Sequence, residues 1–600
     1  MKKSRIFAAQ FSLVIGFSAF ISTSVSAVTF HLGEIEGQFD SSLSIGASWS
    51  VSGADPDLVG NANGGKGFTQ TSDDGRLNFK KGETFSKIFK GIHDLELKYG
   101  DTGVFIRGKY WYDFELKDEH RPWKDISDHG RKQAAQSSGA QLLDAFLYHS
   151  YSLGDLPGTL RVGKQVVNWG ESTFIQGGIN AVNPIDVAAF RRPGAEIKEG
   201  LIPVNMLYAS QSLTDRLSAE AFYQLEWDQT VVDNCGTFFS SADVVAEGCD
   251  NNYHILDATT VNTLTGLQPM LSSLGVQVET EGLIVPRGGD RDARDGGQFG
   301  TALRWMGDES EYAAYFINYH SRLPYLSMQN ANAADITAAA TTFGGALAAP
   351  ILLGRGKYFF EYPEDIQLYG LSFSTTLPTG TAWSGELSYR PNLPLQINAT
   401  DLTAKLATSV AEGFATAGFA GGLAQADGIN HGYVRKEVTQ AQTTLIHFID
   451  QVMGADRLTL VGEVGVTHIG GLENQSEIRY GRDSIYGSPY GTDASNLAAA
   501  SAHGFHGFYT STSWGYRTRA VWEYSDVIAG INLKPNLSWA HDVDGYGPVF
   551  NEGAKAISIG LDADYRSAYT ANLSYTNFFG GSFNPFVDRD FVALSFGASF

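Results

Sequence analysis

Beyond residue 27 the sequence has no apolar run approaching the roughly 18 residues that a membrane-crossing helix needs. Any route across a bilayer must then use strands, and only a closed barrel satisfies strand backbone in lipid. Basic residues are in deficit, with 43 Lys and Arg against 65 Asp and Glu, a formal net charge of −22. That argues against nucleic acid as a partner, because phosphate binding needs basic surface. Catalytic signatures are missing too. No G-x-S-x-G elbow and no H-E-x-x-H occurs. GNANGGKG at 60–67 approaches a P-loop, but Gly67 stands where a magnesium-binding Ser or Thr belongs. His149, Ser150 and His468 are candidates for hydrolysis by residue type alone, and a structural role is expected for them. GGDRDARDGG at 288–297 clusters Asp290, Asp292 and Asp295, yet Arg291 and Arg294 interleave them, so a solvated turn is expected. The protein is not expected to be an enzyme, and no metal or cofactor is expected.

What is present starts at the N-terminus. Lys2, Lys3 and Arg5 precede an apolar stretch from Ile6 to Ile21, and Val25-Ser26-Ala27 supplies small residues for cleavage. Residues 1–27 therefore read as a secretory signal, cut between Ala27 and Val28. Export places Cys235 and Cys249, the only cysteines, in an oxidising compartment. They are expected to form a disulfide, worth roughly 3 kcal/mol for a loop of about 15 residues in the chain-entropy view.

Residues 28–600 read as one all-β domain, a transmembrane antiparallel barrel. In TGVFIRGKYWYDFEL, Val104, Ile106, Tyr110, Tyr112 and Phe114 share one face. Phe105, Arg107, Lys109, Trp111, Asp113 and Glu115 share the other, which suits a wet or plugged lumen. Tight turns at 100–103, 154–158, 212–215, 307–310, 377–380, 454–457, 525–526 and 566–568 alternate with nine long connections. That predicts about 18 strands (16 to 18), with short periplasmic turns and long outer loops. The last strand alternates Val592, Leu594, Phe596, Ala598 and Phe600 with smaller residues. Phe600 is expected to end the strand that closes on the first. Phe596 and Phe600 resemble the aromatic C-terminal signal read by the outer-membrane assembly machinery.

Helical inserts are expected near 257–274, 332–353 and 399–424, the last two rich in Ala. They could shield an apolar ligand path or pack on each other above the barrel. The segment 160–207 is the most unusual. After Trp169 and Glu171 it runs through Asn180, Asn183, Asp186, Arg191, Arg192 and Glu196 before a strand resumes near Leu201. Such a charge-dense excursion either folds inward onto lumenal charges such as Arg107, Lys109, Asp113 and Glu115, or stays outside on its own salt bridges.

The run VGKQVVNWGES…NAVNPIDVAAFRRPGAEIKEGLIPVNM resembles the proteobacterial outer-membrane family catalogued as domain-of-unknown-function family 1302. The resemblance extends over nearly the whole chain after the signal. It implies an outer-membrane barrel found beside a periplasmic lipoprotein-like family and inner-membrane transporters of the RND type. Those neighbourhoods concern steroids, alkanes, aromatics and other hydrophobic compounds. It carries no catalytic residues. The function expected is passage of hydrophobic small molecules across the outer membrane, in the uptake direction. An RND-linked lipid-trafficking or efflux assembly and a general aqueous porin are the alternatives, with a barrel lipid hydrolase least favoured. Lipid and lipopolysaccharide are the expected surroundings.

Overall fold

The computed structural model describes residues 28–489 and 494–600. The proposed signal, 1–27 with Ala27, lies outside the described residues.

Eighteen antiparallel strands of 8 to 20 residues close into a barrel. They are β1 (Ile35–Ser50), β2 (Thr84–Tyr99), β3 (Thr102–Asp113), β4 (Ser138–Leu153), β5 (Leu156–Gln165) and β6 (Val204–Ser212). Then come β7 (Leu217–Gln224), β8 (Gln298–Met306), β9 (Ser310–Tyr319), β10 (Ile366–Thr376), β11 (Ala382–Gln396) and β12 (Tyr433–Val452). The last six are β13 (Ala455–Gly470), β14 (Thr512–Ile528), β15 (Ile531–Asp544), β16 (Lys555–Tyr565), β17 (Tyr569–Phe579) and β18 (Phe591–Ser599). Each pairs with its sequence neighbour, and β18 closes on β1 from Ser42↔Ser599 to Ser50↔Phe591. Phe600 finishes the seam: its N–H donates to Ser41 O at 2.8 Å and its carbonyl accepts from Ser41 N at 2.6 Å. A short strand, Val28–Leu32, pairs with the start of β1 and prolongs the column of β18 at the short-turn end.

Alternation decides which side chains meet lipid. Ile45 on β1, Leu371 on β10, Ile559 on β16, Leu573 on β17 and Phe596 on β18 all point outward and are among the most exposed large apolar residues. A continuous apolar girdle of this kind would be an aggregation hazard in water and is the normal surface of a barrel in lipid. Among the described residues no helix is long and apolar enough to cross a membrane.

Eight tight turns join the strands at one end, and the long connections lie at the other. One turn is displaced from its expected place at Ser525-Asp526. β14 continues to Ile528 and the chain reverses at Ala529-Gly530, both with positive φ. Asp526 sits in a bulge before the turn and accepts the Gly530 N–H at 2.7 Å, which explains its turn-like residue type.

The long connections fold over the outer mouth. The expected insert at 257–274 is two helices, α1 (Ala258–Thr265) and α2 (Gln268–Ser273), broken around Gly266. Further along stand α3 (Ala333–Thr341), α4 (Ala348–Arg355) and α5 (Ala399–Leu423), the last kinked at Ala417 and Gly418. They pack on one another. Leu264, Leu271, Ile336, Ile351, Leu402 and Leu406 share one apolar core, together with Met328 and Tyr358 from a small sheet. Their Ala-rich composition thus reflects close helix packing. Cys235 and Cys249 are disulfide-bonded in the connection between β7 and β8.

Candidate functional site

The connection between β5 and β6, residues 166–203, crosses the lumen and touches the wall on opposite sides. The clamp works chiefly on its backbone. Glu386 on β11 accepts the N–H groups of Glu171 at 2.6 Å and Ile179 at 2.9 Å. Glu463 on β13 accepts those of Thr173, Phe174 and Ile175 at 2.7–2.8 Å. A carboxylate accepting from successive backbone N–H groups is an anion bound in a peptide nest, here with the anion supplied by the wall. Arg390 on β11 supplies the opposite polarity, donating to the carbonyls of Gly177 at 2.7 Å and Gly178 at 2.5 Å. Gln440 on β12 donates to Gln176 O.

Close approach also requires room. A Cβ on Gly370 of β10 would lie 2.8 Å from Ile179, and one on Gly46 of β1 would lie 2.6 Å from Pro193. Glycine at these wall positions lets the segment dock.

Across the lumen the contacts are ionic. Lys109 on β3 reaches Asp186 at 2.8 Å and the Glu199 carbonyl at 2.9 Å, and both charged partners are buried. Lys90 on β2 pairs with Glu199 at 2.6 Å. Asp186 also caps a short turn of helix through the Ala189 N–H. Trp169 is fully buried against Phe222 and Tyr315, and its indole N–H donates to Glu220 at 2.7 Å. Asn183 closes a backbone loop with Val167, whereas the Asn180 amide faces Asn168 in an exposed position. Glu196 accepts from Ser42 on β1 at 3.2 Å.

Arg191 and Arg192 tie the segment to the outer loops. Arg191 pairs with Asp233 at 2.6 Å and stacks on Phe239. Arg192 donates to Ala134 O at 3.0 Å and lies over the Trp111 ring.

Three of the expected lumenal charges have other partners. Arg107 forms a fork with Asp94 at 2.7 Å and reaches Asp144, both from neighbouring strands. Asp113 ends β3 and caps the helical turn that follows, accepting from Glu115 N, Leu116 N and Ser86 Oγ. Glu115 is therefore off the strand, in Phe114–Asp118, where it pairs with Lys87 and Arg121. The alternation ends at Asp113 because that residue starts a helix.

The residues that sequence reasoning missed are Glu386, Arg390, Gln440, Glu463, Lys90 and Glu199. For Glu386, Arg390 and Glu463 the signal was an isolated charged side chain set in a strand, as in SGELSYR and LVGEVGV.

Between the inward segment and the wall of β17 and β18 lies a cavity of about 560 Å³. Phe190, Phe239, Phe578, Phe586 and Phe591 line it with rings. Asn572, Ser574 and Thr576 form its polar wall, and Arg191 and Arg192 border it.

An antiparallel barrel with a lipid-facing girdle and a segment folded through its lumen is an integral protein of the bacterial outer membrane. A family model described as "Protein of unknown function (DUF1302)" matches residues 8–600, and the chain belongs to that family. No curated protein matches. Among solved structures, OccAB1 of Acinetobacter baumannii is 10% identical, with 96% of this chain and 99% of that one covered and a TM-score of 0.40. The outer membrane protein opdK of Pseudomonas aeruginosa is 10% identical over 94% and 98%, TM-score 0.37. OmpF of Salmonella typhi, in complex with daunomycin, is 9% identical over 96% and 100%, TM-score 0.34.

Proposed function

We propose that the protein passes hydrophobic small molecules carrying an acid group across the outer membrane, in the uptake direction. The observation that carries this reading is the cavity beside the inward segment, where five phenyl rings meet a polar wall and Arg192, while the neighbouring Arg191 is held by Asp233. Rings offer an apolar body its burial, about 25 cal/mol per Å² removed from water. Arginine suits a carboxylate through charge-assisted hydrogen bonds. A general porin needs an open aqueous lumen, which a segment pinned to both walls works against. An apolar solute crosses the polar lipopolysaccharide leaflet poorly, so a protein route has a physical purpose.

The test is conductance of the purified protein in a planar bilayer, with a steroid carboxylate as probe. Verified insertion with little ohmic current, reduced further by the probe in the wild type and less in Phe190→Ala, is the expected result. Large steady steps insensitive to the probe would make this an aqueous porin instead.

A further inference from the structure

Three aspartates from two connections far apart in sequence meet under the outer cap. Asp73 and Asp74 come from the β1–β2 connection and Asp243 from the β7–β8 connection, and all three are buried. One carboxylate oxygen from each lies within 4.8 Å of the others. Their donors are few. Asp73 Oδ2 accepts from Gly60 N at 2.8 Å and Asn63 Nδ2 at 2.9 Å. Asp74 accepts from Trp123 Nε1 and pairs with Lys124 at 2.9 Å. Asp243 Oδ2 accepts from Asp74 N at 3.1 Å. The remaining oxygens, Asp73 Oδ1 and Asp243 Oδ1, are buried with no hydrogen-bond partner. Lys124 does not balance the group, because it also serves Glu281 at 2.9 Å. Arg589 attracts Asp243 at longer range but stands against Asp588.

Two orphaned buried acceptors beside an uncompensated cluster call for a positive charge. We propose that Asp73, Asp74 and Asp243 bind a divalent cation of the calcium type. Ca–O bonds of about 2.3–2.6 Å let one ion reach oxygens up to about 5 Å apart, which the cluster satisfies. The donor set is all oxygen, which selects a hard cation, and calcium tolerates irregular geometry where magnesium does not. The ion staples the β1–β2 connection to the disulfide-bonded β7–β8 connection, while Lys124 holds the β3–β4 connection to both.

The test uses full-length protein refolded into detergent free of lipopolysaccharide and stripped with chelator. Calorimetric titration with calcium chloride reads the affinity. The expected dissociation constant is about 0.1–1 mM, the range of extracellular calcium modules. Asp73→Asn and Asp243→Asn are each expected to weaken binding about tenfold or more, with heat-modifiable gel mobility retained. In the wild type, calcium should slow tryptic nicking of residues 225–297 relative to chelator. Absence of calcium binding, or equal affinity in folded variants, would overturn the proposal and leave a shared proton as the compensating charge. Unchanged nicking would overturn the stapling role.

Discussion

At the scale of single residues, the lumen is organised by groups that bind backbone. Glu463 holds three consecutive N–H groups of the inward segment and also accepts from Thr444 Oγ1. Its removal leaves those donors to whatever water can enter, at about 1–3 kcal/mol for each that stays unpaired. Glu463→Ala is therefore expected to free this stretch and raise single-channel current, while Glu463→Gln, which keeps one acceptor oxygen, raises it less. Equal, unchanged currents in both inserted variants would show that the clamp is redundant. Lys109 was readable as lumenal from its alternation with Tyr110 and Gly108. Glu463 was not, because a lone Glu between valine and glycine residues says nothing of which distant backbone it will meet.

At the scale of elements, the β5–β6 connection is held from both ends. Glu386, Glu463 and Arg390 fix its first half, and Lys90 and Lys109 fix its second. Arg191 and Arg192 add the link upward, to Asp233 and to the Ala134 carbonyl. Replacing both arginines by Ala is expected to let the segment move and to increase leak of small polar solutes in a swelling assay on proteoliposomes. An unchanged swelling rate in a correctly inserted double variant would show that the lower contacts suffice. The excursion's charge density left two destinations open from sequence, since Asp186 and Glu199 could equally have paired within the loop. The expected pairing with Arg107, Asp113 and Glu115 failed because nearer groups satisfied each of them. A strand neighbour or a helix cap at fixed short separation wins over a loop that must be ordered first.

At the scale of the whole molecule, closure is the decisive event. The last strand meets the first, and the two hydrogen bonds between Phe600 and Ser41 finish the seam. Deleting Phe600 removes both bonds and an aromatic side chain at the barrel rim. The expected outcome is a lower yield of heat-modifiable barrel from cells, measured in outer-membrane fractions, with the strands of the surviving molecules unchanged. A normal yield would mean that the preceding pairs, Leu43↔Ala598 and Ile45↔Phe596, carry closure alone. The apolar cap at the outer mouth has its own core, so a released inward segment should leave it folded.

The sequence by itself determined the barrel. Period-two alternation assigns each strand an outer and an inner face, and the alternation of short and long connections counts the strands and orients them. Both are local properties of the chain. The disulfide was also readable, since only two cysteines exist. The tertiary structure alone decided where the β5–β6 connection goes, which glycines make room for it, and that Asp73, Asp74 and Asp243 meet. Those outcomes depend on contacts between residues up to hundreds of positions apart, and on competition among partners that one-dimensional spacing does not rank.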